Sequence, residues 1–192
     1  THSIMEIIRP ENEYWIQDKL DTQMMDYVWS QIKLARVEVK NKLEGHVSSS
    51  LGLPDLENKF SPYLLDLAKN LQYMYHPGFQ VRDLWVNFNK KHDFNPLHHH
   101  FGALSFVLWM KIPYDRGEEA KTTQAKGLSN PHLNGAFRFI YSSVLGRITQ
   151  YDYRLDPTWE GTLVMFPATL LHEVYPFYTS DLDRISISGN IY

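Results

Sequence analysis

The chain has 192 residues, a net charge of −3, 43% hydrophobic residues and no cysteine. The missing cysteine excludes disulfides, thiolate metal sites and a cysteine nucleophile, and the slight negative charge without a Lys/Arg run offers no support for nucleic-acid binding. No apolar run is long enough to cross a membrane and no signal pattern opens the chain, so we expect an intracellular, soluble protein with no membrane partner.

A chain of this length can bury one substantial core, so we expect a single domain. We divide it into a mostly helical support region, residues 1–80, and a core that carries the site, residues 81–192. In the first region Asp21 is a predicted N-cap, and Ser61 before a proline is a second. The elements predicted there are an edge strand at Ile4–Ile8, a helix over about 21–36, a loop at 46–53 and a helix from Ser61 to about His76.

From Val81 onward the pattern changes to short apolar runs rich in β-branched and aromatic residues, which is typical of strands. Strands are predicted at Val81–Asn89, Leu104–Ile112, Ala136–Tyr141, Ile148–Leu155, Thr162–Phe166 and Arg184–Ile191. A polar insertion over 113–134 interrupts them, and a loop of that length is often a lid. Helices followed by a run of strands favour an α+β, mainly β fold, in which an antiparallel sandwich or jelly roll carries the helices on its outside.

Three consecutive histidines, His98 to His100, precede the second of these strands. In extended backbone alternate side chains share a face, so His98 and His100 point one way and His99 the other. A His-x-His pair at the mouth of a sheet can supply two metal ligands, and His172, just after a buried strand, is the candidate for the third. The triplet taken alone is equally compatible with a polar cluster on a loop.

Arg184 begins the last predicted strand, and Ser186 and Ser188 share its face. A buried arginine on the inner face of a sheet is costly unless it meets an anion. With a serine hydroxyl two residues on, the natural partner is a carboxylate bound through two hydrogen bonds.

These motifs, in this order, resemble the Fe(II)- and 2-oxoglutarate-dependent oxygenases, and more narrowly a group of them common in marine bacteria and their phages. The resemblance covers about residues 81–192. It is carried by 85–87, 95–100, 105–110, 161–167, 171–172 and 184–190.

The resemblance implies a double-stranded β-helix, or jelly roll, that binds Fe(II) through His98, His100 and His172. It also implies that Arg184 and Ser186 bind the distal carboxylate of 2-oxoglutarate. The implied reaction consumes O2, decarboxylates 2-oxoglutarate to succinate and hydroxylates a substrate, as in prolyl hydroxylases. A peptide or a small molecule is the expected substrate. The residues expected to line the pocket around the co-substrate are Ser105, Trp109 and Asn87.

The sequence departs from the family pattern at one ligand. The usual triad has two histidines and one carboxylate, which stands two residues after the first histidine, where this chain has His100. Three neutral ligands leave the full charge on the metal, so the dianionic co-substrate should matter more to assembly. Asp93 or Glu173 could instead supply the carboxylate ligand, and His100 would then contact a ligand rather than the metal. Glu173 should, however, face away from its neighbour His172.

Two other functions fit parts of the pattern. A cupin-type metal dioxygenase or isomerase could use three histidines, but the residues after His100 lack the glutamate expected of cupins, and Arg184 would have no role. A noncatalytic jelly-roll binding protein would use the histidines structurally and would bind neither iron nor 2-oxoglutarate.

Overall fold

In a computed structural model, which describes residues 5–39, 46–126 and 132–192, strands form most of the regular secondary structure. The strands are Ile16–Lys19 (β1), Ser49–Gly52 (β2), Val81–Asn89 (β3), Asn95–His98 (β4), Leu104–Lys111 (β5), Phe137–Ser142 (β6), Ile148–Tyr153 (β7), Thr162–Pro167 (β8), Leu171–Val174 (β9) and Arg184–Ile191 (β10). The helices are Thr22–Leu34 (α1), Phe60–Ala68 (α2) and Arg116–Glu119 (α3), with a short 3-10 turn at Pro157–Trp159.

The strands pair antiparallel in two sheets. The larger sheet has the order β1-β8-β5-β10-β3-β2, and the smaller has the order β4-β9-β6-β7. Consecutive strands therefore alternate between sheets over much of the chain, as expected for a jelly roll. The predicted fold class, mainly β with a jelly-roll core, is confirmed.

Strand periodicity gives the larger sheet two different faces. On β10, Ile185 and Ile187 point toward a core that includes Val28 of α1 and Leu64 of α2. Arg184 and Ser186, which alternate with these isoleucines, point toward the smaller sheet. The N-terminal helices thus cover the outside of the larger sheet, as predicted. The cavity that Arg184 and Ser186 line is therefore formed between the two sheets.

A second core fills part of the space between the sheets and is mainly aromatic. Its large members include Trp109 of β5, Phe137 and Phe139 of β6, and Phe166 of β8, all at most 3% exposed. Large rings that pack edge to face leave little room for water, so this core forms a dry wall beside the polar face of β10.

The two long helices show how well local signals predicted caps. Asp21 is the N-cap of α1, as expected, and its carboxylate accepts a hydrogen bond from the Met24 amide (2.7 Å). The predicted cap Ser61 lies inside α2 instead. Asp55, five residues before the helix, accepts from the Phe60 and Ser61 amides and from the Ser61 and Tyr27 hydroxyls.

Several N-terminal predictions were wrong. Residues 5–8 are exposed, have no regular secondary structure and do not pair with a sheet; Ile4 lies outside the described residues. The stretch 46–53, predicted as loop, contains β2. The second helix ends at Ala68 rather than near His76. The first eighty residues thus add two edge strands to the larger sheet as well as helices.

The insertion over 113–134 is ordered where it is described; its residues 127–131 lie outside the described part. The carboxylate of Glu119, at the end of α3, is fully buried and accepts from the amides of Tyr178 and Thr179 (2.9 Å each), the Thr179 hydroxyl and the Asn134 side chain. This carboxylate joins the insertion to the loop between β9 and β10. Within the described ranges, no helix is long and apolar enough to span a membrane.

Candidate active site

Three imidazoles meet where β4 and β9 run side by side. His98 on β4 lies directly opposite His172 on β9, and their ring centroids are 4.3 Å apart. His100 lies two residues beyond His98, and its backbone amide donates a hydrogen bond to the Ala168 carbonyl (2.8 Å). Its Nε2 lies 3.2 Å from Nε2 of His172. One ring nitrogen from each of the three histidines falls within 4.8 Å of the other two.

Hydrogen bonds at the far side of two rings fix their tautomers. Nδ1 of His98 donates to the Pro96 carbonyl (2.7 Å), and Nδ1 of His172 donates to the Leu170 carbonyl (2.8 Å). Because a carbonyl can only accept, the proton of each neutral ring sits on Nδ1, and Nε2 keeps its lone pair. Metal-binding histidines are commonly oriented in this way.

Burial keeps the rings of His100 and His172 uncharged. Desolvation, with a smaller contribution from His98 and His99, lowers the pKa of His100 to about 4. Desolvation also holds the pKa of His172 well below its ordinary value, and this ring is only 3% exposed. Neutral imidazoles are the form that binds metals.

The spacing of the nitrogens suits a metal ion. Two ligands about 2.1 Å from one ion and at right angles to each other are about 3 Å apart, which is close to the separation of the His100 and His172 Nε2 atoms. These two nitrogens therefore have the separation of adjacent ligands of one ion, and the ligand nitrogen of His98 lies within 4.8 Å of both.

The other candidate ligands are engaged elsewhere. His99 is exposed and lines the same cavity, but its Nδ1 donates to the His100 carbonyl (3.2 Å) and its ring is not part of the cluster. Asp93 accepts from the amides of Ser48 and Lys90 (2.7 and 2.9 Å). Glu173 accepts from the Tyr175 hydroxyl (2.7 Å). Among the described residues, the three histidines are the one cluster of potential ligands close enough to share an ion.

Arg184 lies at the start of β10 with only 2% of its surface exposed. Its Nη1 donates to the Tyr114 hydroxyl (3.3 Å) and to the carbonyls of Tyr175 (3.2 Å) and Gly135 (3.5 Å). Nη2 is buried and has no hydrogen-bond partner, and none of the ion pairs between described residues includes this arginine. An uncompensated buried guanidinium is costly, so this position suits an anion.

A cavity of about 210 Å³ joins the histidines to Arg184. Of the predicted pocket residues, Ser186, Trp109 and Asn87 line it. Ser105 does not line it, because its hydroxyl donates to the Gly189 carbonyl (3.0 Å) and the Asn190 amide oxygen (3.3 Å). Ser105 therefore joins β5 to β10, and we leave it out of the proposed site.

The sequence reasoning assigned no role to Asn89 or to Tyr114, which both lie next to Arg184. Asn89 lines the cavity, is 3% exposed and lies directly opposite Arg184 across β3 and β10. Its parity with Asn87 on a correctly predicted strand could have identified it. Tyr114 donates to the Gly135 carbonyl (2.7 Å) while accepting from Arg184. No local pattern marks that contact.

Gly135 permits this contact through its backbone. It has a φ of +70°, and a Cβ there would lie 2.4 Å from the Tyr114 ring, so only glycine fits. The carbonyl of Gly135 can therefore approach both Tyr114 and Arg184.

Comparison with known proteins agrees with these features. The family model described as "Putative 2OG-Fe(II) oxygenase" matches residues 83–190, which is more than half of the chain and includes the three histidines and Arg184. A search of curated proteins found no match.

Solved structures with the same fold include several oxygenases. A prolyl-4-hydroxylase from Pseudomonas putida is 15% identical, with 91% of this chain and 90% of that chain covered and a TM-score of 0.54. The collagen prolyl hydroxylase of Paramecium bursaria Chlorella virus-1, solved with 2-oxoglutarate, is 14% identical (93% and 96% covered, TM-score 0.57). The epimerase SnoN from nogalamycin biosynthesis is 13% identical (92% and 77% covered, TM-score 0.60).

At these identities the solved structures support the fold, while the family match covers the residues that carry the chemistry. The chain belongs to the 2OG-Fe(II) oxygenase family, and it is an oxidoreductase that uses Fe(II) and 2-oxoglutarate.

Proposed function

We propose that this oxygenase is a hydroxylase that binds Fe(II) through His98, His100 and His172 and binds the distal carboxylate of 2-oxoglutarate through Arg184 and Ser186. The observation that carries the proposal is the cavity itself. It has converging imidazole nitrogens at one end and, at the other, a buried arginine whose Nη2 has no partner. A dianion with a chelating group at one end and a carboxylate at the other matches both ends.

Each residue has a definite task in this scheme. When bound, Fe(II) and 2-oxoglutarate supply the oxidising chemistry, in which O2 is consumed, 2-oxoglutarate gives succinate and CO2, and one oxygen atom goes to the substrate. The histidines would hold the metal, and the Nδ1 hydrogen bonds of His98 and His172 orient those two rings. Arg184 neutralises the carboxylate at the closed end and thereby orients the co-substrate.

The aromatic walls keep water from the reacting centre. Phe137 stacks on the His172 ring (centroids 5.5 Å apart), and Phe166 packs against the same ring (5.0 Å). Trp85 lies beside His100 (5.9 Å). A dry site strengthens the interaction between Arg184 and a carboxylate and protects the oxidising chemistry from side reactions.

For the substrate we propose a prolyl side chain in a peptide or protein. Two of the similar structures are prolyl hydroxylases, though at identities that support only the fold. The mouth of the cavity supports an uncharged group: Phe101 lines it and is 80% exposed, and the lining drawn from the described residues contains no carboxylate. A prolyl ring is apolar and uncharged, and it suits such an entrance.

The similarity to SnoN makes epimerisation the second candidate, because that fold also supports an epimerase. A substrate-dependent succinate assay, combined with mass spectrometry of the product, distinguishes hydroxylation from epimerisation. Proline-containing peptides should stimulate succinate formation and gain the mass of one oxygen atom on the prolyl ring, whereas the same peptides with alanine in place of proline should not. Stimulated succinate formation with no gain of mass would refute hydroxylation and favour epimerisation.

A further inference from the structure

Two unpartnered donors face the same cavity. Three buried side-chain polar atoms of the described residues have no hydrogen-bond partner, and two of them belong to cavity-lining residues: Nη2 of Arg184 and Nδ2 of Asn89. Buried donors in folded proteins are almost always paired. Two unpaired donors beside one cavity therefore indicate a ligand with hydrogen-bond acceptors for both.

The backbone places these two side chains together. Arg184 and Asn89 are direct partners in the antiparallel pairing of β10 with β3. Side chains of directly opposed residues project from the same face, with Cβ atoms about 4.5–5.5 Å apart. A group that lies against the guanidinium at the closed end of the cavity also comes within reach of the Asn89 amide.

Arg184 also has limited capacity for its ligand. Its Nη1 is already shared among Tyr114, Gly135 and Tyr175, which leaves Nη2 as its orphaned donor. A carboxylate has two oxygens that can each accept hydrogen bonds. Nη2 of Arg184 and the Ser186 hydroxyl of the proposed site use only part of this accepting capacity, which leaves room for a further donor.

We propose that Asn89 is a binding residue for the distal carboxylate of 2-oxoglutarate, donating from Nδ2 to one carboxylate oxygen while Arg184 binds the other. This inference rests on the proposed function, which puts that carboxylate at Arg184. It makes the end of the pocket selective for a planar anion with two acceptor oxygens, since a methyl group there would leave both donors unpaired.

The test compares two ligands that differ only at the distal end. 2-Oxoglutarate and 2-oxopentanoate have the same keto acid and chain length, but the second ends in a methyl group. Their dissociation constants are measured by calorimetry with the Mn(II)-loaded protein, so that no turnover is involved. Asn89→Ala should weaken 2-oxoglutarate binding roughly tenfold or more, because a hydrogen bond to a charged group is lost, and should leave 2-oxopentanoate binding unchanged.

Asn89→Asp provides a second variant of nearly identical shape. A carboxylate facing the ligand carboxylate should weaken 2-oxoglutarate binding further than alanine does. Mn(II) affinity without co-substrate and the thermal unfolding midpoint show whether either variant is folded. Equal weakening of both ligands by Asn89→Ala, or no weakening of either, would overturn the assignment.

Arg184→Ala distinguishes a failure of the Asn89 assignment from a failure of the proposed function on which it rests. If Arg184→Ala weakens 2-oxoglutarate binding and Asn89→Ala does not, Asn89 is not a ligand and the proposed function stands. If neither substitution affects 2-oxoglutarate binding, the distal carboxylate lies elsewhere, and both proposals are wrong.

Discussion

His98 and His172 are 74 positions apart in the chain, yet they are direct partners across β4 and β9, and each donates its Nδ1 proton to the carbonyl two residues before it. The same local contact thus orients two rings on neighbouring strands. Since both Nε2 atoms keep their lone pairs, the pairing orients both rings as the proposed metal site requires, and His100, in the loop after β4, would complete that site.

The first prediction concerns the face on which each histidine lies. His98→Ala, His100→Ala and His172→Ala should each lower Fe(II) affinity by at least roughly 100-fold, because even outer partners of metal ligands are worth 10- to 100-fold. His99→Ala is the matched control from the same triplet and should bind Fe(II) like the wild type. Anaerobic equilibrium dialysis measures all four. A loss in His99→Ala equal to that in His98→Ala would contradict the assignment by parity.

The second prediction concerns the missing carboxylate. Because the carboxylates of Asp93 and Glu173 are occupied by loop and strand contacts, Asp93→Asn and Glu173→Gln should leave Fe(II) affinity unchanged. His100→Asp restores the usual triad and should bind Fe(II) more tightly than His100→Ala does, since a carboxylate offsets part of the metal charge. A marked loss of affinity in Asp93→Asn would show that this carboxylate is a ligand after all.

A third prediction concerns Glu119, whose buried carboxylate joins the insertion to the loop between β9 and β10. Glu119→Gln replaces an acceptor of several buried donors by an amide, so we expect the free energy of unfolding to fall by about 2–3 kcal/mol. The loop that Glu119 holds leads from Tyr175, whose carbonyl binds Arg184, so 2-oxoglutarate affinity should fall as well.

Glu118→Gln is the control from the same short helix. Glu118 is exposed and pairs with Lys121 (2.6 Å), and surface pairs of this kind contribute little. Its unfolding free energy, measured by urea denaturation, should stay within about 0.5 kcal/mol of the wild type. Equal losses of unfolding free energy in Glu119→Gln and Glu118→Gln would argue that the buried carboxylate of Glu119 does not stabilise the fold.

The fourth prediction concerns acid stability. Burial tends to raise the pKa of Asp55, but hydrogen bonds from Tyr27, Ser61 and Phe60 outweigh it and lower the pKa below its ordinary value of 3.8. A carboxylate whose pKa is lowered by folding stabilises the protein above the unfolded-state pKa, and this contribution is lost as the pH falls through the folded-state value.

Asp55→Asn should therefore lower the unfolding free energy at neutral pH by about 1–2 kcal/mol, as expected for the loss of a good helix cap. The difference from the wild type should persist down to about the ordinary aspartate pKa and shrink below it. Denaturation at a series of pH values measures this. A difference that is constant throughout the acid range would show that the charge of Asp55 does not stabilise the fold.

The strands that position the co-substrate pocket could be predicted from sequence. Val81–Asn89 and Arg184–Ile191 were predicted with the bounds that the structure shows, because strand-like composition with partial or full alternation is recognisable without the partner strands. The same parity brought His98 and His100 to one face, although the regular strand ends at His98.

The shorter elements could not be predicted so well. β4 and β9 have four residues each, and pairing with neighbours stabilises them more than their own composition does. His172 was expected at the end of the preceding strand, but the chain turns after Pro167 and places it on β9 instead.

The surroundings of Arg184 depend on contacts distant in the chain. Tyr114, Gly135 and Tyr175 meet its guanidinium from three separate segments. Nothing near Arg184 in the sequence shows that Nη1 would be occupied and Nη2 left without a partner. The need for an anion could be inferred from sequence, but the identity of its second donor could not.

The central claim is that the three histidines hold an Fe(II) ion that 2-oxoglutarate chelates while Arg184 binds its far end. Anaerobic titration of the Fe(II)-loaded protein with 2-oxoglutarate tests it most directly, because the chelate gives a weak visible metal-to-ligand charge-transfer band. We predict a saturable band in the wild type and in His99→Ala, no band in His100→Ala, and a much weaker affinity for 2-oxoglutarate in Arg184→Ala. No band in the wild type at saturating iron and co-substrate, or an unchanged band in His100→Ala, would contradict the account.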